Sequence, residues 1–147
     1  MKVGEIIKKA LEIMPGIFYV LQSPLKQDDK RPGGYFAIFK NDPHDLRPLA
    51  LLQIENPDPQ KLDKYLKLYC EKAWRLMEHP EHIASSQSAN PEREQYGGAI
   101  RAGNYILVFT GMHTGELDEE ILIRFAGLVD LISDSEFQRF YTHFNSP

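Results

Sequence analysis

The chain has 147 residues, 42% of them apolar and 26% charged, enough for one domain, residues 1–147, with its own core. Its net charge of −4, from 17 basic and 21 acidic residues, speaks against a nucleic-acid-binding surface, which must neutralise phosphates. A single cysteine, Cys70, excludes a disulfide framework, and no window approaches the roughly 18 apolar residues of a membrane span.

Val3, Ile6, Ile7, Ala10, Leu11 and Met14 recur at helical steps and predict a helix ended by Pro15-Gly16. The Lys and Glu residues among them leave no continuous apolar region of a signal peptide, so a soluble cytoplasmic protein is expected. Ile17 to Gln22, β-branched and aromatic, reads as a strand. A mobile loop from Ser23 to Gly34 follows, then strands at 35–39 and 49–54 around the turn Asn41-Asp42-Pro43-His44-Asp45. Asp58-Pro59 opens a long helix that fades at His79-Pro80. Its apolar stripe is Leu62, Tyr65, Leu66, Tyr69, Ala73, Leu76 and Met77, and Lys61, Asp63, Lys64, Lys67 and Lys72 are expected to face water.

Residues 81–95 are small and polar, a loop with one helical turn near His82-Ile83-Ala84. Ala99 to Arg101, the turn Ala102-Gly103-Asn104 and Tyr105 to Thr110 predict a hairpin, with Gly103 supplying a positive φ. Leu117-Asp118-Glu119-Glu120 starts a helix with acids at its positive end. Its core face is Leu117, Ile121, Leu122, Phe125, Leu128, Val129 and Ile132. A last helical segment carries Phe137, Phe140, Tyr141 and Phe144, and this apolar cluster predicts a homodimer or docking within the chain. The order α-β-β-β-α-β-β-α-α predicts an α+β fold, a central antiparallel sheet of about five strands with helices packed on it.

Glu71-Lys72-Ala73, Tyr96-Gly97-Gly98-Ala99-Ile100-Arg101, Phe109-Thr110-Gly111-Met112 and Asp118-Glu119-Glu120 together resemble the GlcG/HbpS-like family of small bacterial proteins, some of which bind haem. The resemblance covers roughly the last 90 residues. It implies a profilin-like α/β sandwich and assigns no haem ligand or other cofactor to a named residue.

Gly97-Gly98 leads into a strand rather than a helix, and no Gly-Lys-Ser/Thr follows, so these glycines are not a phosphate loop. They admit the chain to the sheet without a side-chain clash, or bring backbone close to a ligand. His79 and His82, with His113 after the last strand, are a weak metal set. Ser85, Ser86 and Ser88 lack a Gly-x-Ser-x-Gly elbow. Arg101, if turned inward, needs an anionic partner, either Glu94 or Glu116 of the protein or a ligand carboxylate. The expected ligand-binding set is therefore His82, Tyr96, Gly97, Gly98 and Arg101. Three functions fit: a non-enzymatic small-molecule-binding or sensor-like module; an enzyme on a small anionic substrate, with Arg101 as anchor and His82 as acid or base; or an interaction subunit.

Overall fold

The structure, a computed structural model, describes residues 1–145, except for the side chains of residues 143–145. Helix α1 is Val3–Gln22, and strands β1 (Gly33–Lys40) and β2 (Pro48–Glu55) follow it. Helix α2 is Leu62–Met77, β3 and β4 are Ala99–Ala102 and Tyr105–Thr110, and helices α3 (Gly115–Leu128) and α4 (Asp134–Asn145) close the chain. The fold is α+β. Its antiparallel sheet has four strands in the order β2-β1-β4-β3, not five.

The missing strand is the second half of α1. Pro15 lies inside this helix rather than ending it, and Ile17, Phe18 and Leu21 continue the buried stripe of Ile6, Ala10 and Met14. Proline within a helix costs about 3 kcal/mol. Burying three large apolar side chains returns about 1.5–3 kcal/mol each, so packing wins over local propensity. The residue four before the proline is Leu11, which lies on the exposed face of the helix.

Alternation along the strands divides the core in two. Phe36, Ile38, Leu107 and Phe109 point to one face and pack with α1 and α3. Ala37, Phe39, Ile106 and Val108 point to the other, under Tyr69, Ala73, Leu76 and Met77 of α2. Asp58 accepts from the Gln60 N–H at the start of the short turn leading into α2, as its sequence suggested. Between α2 and β3 the loop holds two 3-10 turns, Ser85–Ser88 and Pro91–Arg93, rather than one near His82. In α4, Phe140 is buried, and Phe137 and Tyr141 meet edge to face. Phe144 lies outside the residues whose side chains are described. Among the described residues no helix is long and apolar enough to cross a membrane.

The β3–β4 hairpin turns at Gly103, with φ of 59°, and a Cβ there would meet nothing within 4 Å. Only backbone strain opposes a side chain at this position. Gly103→Val should therefore cost about 1–2 kcal/mol, read as a lower urea midpoint with unchanged circular dichroism.

Candidate functional site

The expected residues lie along one loop but do not share one cavity. Arg101, partly buried on β3, spends its guanidinium on the protein itself. Nε donates to His82 O at 3.1 Å, Nη2 to Leu76 O at 2.7 Å and His79 O at 3.2 Å, and Nη1 to Asn41 Oδ1. It caps the C-terminal end of α2 and holds no carboxylate. The Tyr96 side chain lies beside Asp63, Lys64, Lys67 and Leu68 of the α2 region, in a cavity that His82 and Arg101 do not line.

Gly97 and Gly98 press against buried charge. A Cβ on Gly97 would stand 2.0 Å from Glu119 Oε2, and one on Gly98, at φ 127°, would stand 2.5 Å from Lys72 Nζ. Lys72 is 2% exposed, which corrects its expected place in water. Its Nζ donates to Phe109 O, Thr110 Oγ1 and Asp118 Oδ2, all within 3.1–3.2 Å. Asp118 also accepts from the Met112 N–H, and Glu119 accepts from the Gly98 N–H and the Ser86 hydroxyl. Arg75, paired with Glu71, donates to Ser85 O, Ser88 Oγ and Tyr96 O. Burial pushes Asp118 up to about 6 and Glu119 up to about 7, against the pull of Lys72 and of their hydrogen bonds.

Sequence reasoning missed this cluster. The signal was spacing: Tyr65, Tyr69, Lys72 and Leu76 follow one helical face, as do Asp118, Leu122 and Phe125. The cluster straps the loop to α2 and α3. Lys72, Asp118 and Glu119 are all buried, so the cluster is closed to solvent.

His113 pairs with Asp29 and contacts Arg31, apart from the other two histidines. His79 and His82 stack with ring centres 4.6 Å apart, and Glu81 Oε1 lies 3.3 Å from His79 Nδ1 and 3.5 Å from His82 Nε2. Two imidazoles and a carboxylate suit zinc. The arrangement does not: cofacial rings do not aim in-plane lone pairs at one point. In addition, His82 Nδ1 is buried without the acceptor that a metal-bound imidazole gives its second N–H.

An apolar groove of about 720 Å³ lies among α1, α3 and α4. Ile13, Ile17 and Val20 of α1 form one wall, Leu128 of α3 another, and Phe137 and Tyr141 of α4 the third. Leu128, expected in the core, is 66% exposed and stands at the rim. Gly127 lets Phe137 close on α3, because a Cβ there would come within 3.0 Å of the ring. Opposite, a Cβ on Gly16 would meet no atom within 4 Å, so this glycine opens the groove. Arg124 lines it too: Nε donates to Glu120, and its terminal nitrogens have no partner among the described residues. Compared with protein families, curated proteins and solved structures, the chain matches none.

Proposed function

We propose that the protein is a non-enzymatic binding module for a small amphipathic molecule, held in the α1/α3/α4 groove. The apolar body lies against Ile17, Val20, Leu128 and Phe137, and the polar end lies at Arg124. The observation that carries this reading is the groove itself: its volume of about 720 Å³ falls among ligand pockets, typically about 300–1,000 Å³ with apolar walls and few polar groups. The enzyme reading has less support, because Arg101 is consumed by backbone carbonyls and the perturbed carboxyls are sealed. Kinship with the GlcG/HbpS-like family and a profilin-like fold remain part of the proposal. They rest on residues 71–73, 96–101, 109–112 and 118–120.

Titration calorimetry with straight-chain carboxylates and the matching alcohols tests the reading. Saturable binding of both is expected, tighter for the carboxylates by tenfold or more, since a charged hydrogen bond contributes about 1.5–3 kcal/mol. Arg124→Gln should erase that difference. Absence of saturable binding for either series would overturn the proposal.

A further inference from the structure

A small cavity of about 250 Å³ lies at the C-terminal end of α1, lined by Phe18, Tyr19, Gln22, Arg31, Pro32 and Glu55. At about 100° per residue, Phe18, Tyr19 and Gln22 lie across α1 from Ile13, Gly16, Ile17 and Val20 of the groove. The two cavities share no residue.

Two acceptors in its wall are unanswered. Gln22, the last residue of α1, is 8% exposed. Its amide nitrogen donates to Arg31 O, and because a carbonyl only accepts, that bond fixes which end of the amide is oxygen. Oε1 is buried and has no partner among the described residues. Buried acceptors are nearly always satisfied, so this one calls for a donor. Glu55 stands at φ 59°, a left-handed conformation that resists most side chains. Gln53 Nε2 donates to the Glu55 carbonyl, but the Glu55 carboxylate has no partner among the described residues. No contact of that side chain within the chain offsets the strain of its backbone.

The surroundings set the sign of the ligand. Helix α1 brings the negative end of its dipole, with no basic residue in its last turn. Arg31 is the cation in the wall, and its terminal nitrogens are engaged: Nη1 donates to Asp28 O and Lys30 O, and Nη2 meets His113 Nδ1. Phe18, buried against Phe109, and Tyr19, 75% exposed, add aromatic surface, which favours a cationic head nearby. We propose that this cavity binds the ammonium head of a small primary amine, with Glu55 and Gln22 Oε1 as acceptors and the alkyl stem against Phe18 and Tyr19. Both acceptors need N–H donors, so a quaternary ammonium is refused. The volume lies below the roughly 300–1,000 Å³ of pockets for drug-sized ligands, so the amine is short.

Titration of isotope-labelled protein with n-butylamine at neutral pH, followed by NMR, tests the site. The amine is charged there, since its pKa is close to that of lysine. Saturable shifts are expected at the Gln22 side-chain amide and the Glu55 N–H. Tetramethylammonium, potassium and butanol should bind more weakly by about tenfold or more, the effect of losing a charge-assisted hydrogen bond. Glu55→Gln, at an exposed position, should weaken butylammonium by a similar factor with the rest of the spectrum unchanged. Glu55→Gly should abolish binding and hold or raise the melting temperature, because glycine takes a positive φ without strain. Gly16→Leu, across α1, should leave binding as it is. Shifts that do not saturate, potassium binding as well as the amine, affinity unchanged in Glu55→Gln, or binding lost in Gly16→Leu would overturn the proposal.

Discussion

Asp118→Ala is expected to cost about 3–5 kcal/mol, the range for removing one partner of a buried ion pair. A domain holds about 5–15 kcal/mol in all, so the variant would lose a large share of its stability. At about 2–4 °C per kcal/mol for a chain of this size, its melting temperature should fall by on the order of 10 °C. The cause is the cation left behind. Lys72 would keep Phe109 O and Thr110 Oγ1 but lose its ion-pair partner, and the Met112 N–H would lose its acceptor. Adding Lys72→Met removes the stranded charge. The double variant should therefore be more stable than Asp118→Ala alone, measured by urea unfolding. Losses that simply add would mean that the two side chains do not depend on each other.

Glu119→Gln is expected to stabilise the protein at pH 8 and to give no gain at pH 5. Burial lifts the Glu119 carboxyl from 4.5 to about 7. Between those values the folded state holds more protons than the unfolded chain, so the contribution of Glu119 to stability falls as pH rises through the window. Asp118, lifted from 3.8 to about 6, acts in the same direction. Glutamine keeps an acceptor for the Gly98 N–H and a polar partner for Ser86 without a charge to bury. The gain at pH 8 is on the order of 3 kcal/mol, from a rise of about 2.5 units at 1.36 kcal/mol per pKa unit. Paired urea curves for wild type and variant at both pH values isolate this one carboxyl from the rest. A gain of equal size at pH 5 would show that the carboxyl is not held near neutrality.

Both predictions concern residues whose role was hidden in the sequence, and the reason is physical. Local signals were legible. The Gly103 turn, the Asp58 cap and the end of α2 before Pro80 each depend on a few neighbouring residues. The strand expected at 17–22 failed because a short apolar run has no period of its own, and only the core beneath it decides between strand and helix. Lys72 sat in plain view on an apolar stripe, but its charge suggested water until Asp118, 46 positions away, supplied a partner. Gly97-Gly98 signalled a close approach without naming what approaches. The groove was least legible. Leu128 lies on the apolar face of α3, and whether a neighbour covers it depends on how far α4 stands from α1, which no single segment encodes.

Binding in that groove is the central claim, and Gly16→Leu tests it most directly. Gly16 is exposed within α1 and has open space where a side chain would begin. Leucine there fills the groove from its wall while replacing a poor helix residue with a good one, a gain of up to about 0.8 kcal/mol. Fold stability and ligand affinity should therefore move in opposite directions in a single variant. The account predicts a melting temperature equal to or above that of wild type, with saturable binding of straight-chain carboxylates abolished. A Gly16→Leu protein that keeps its stability and binds as wild type does would contradict it.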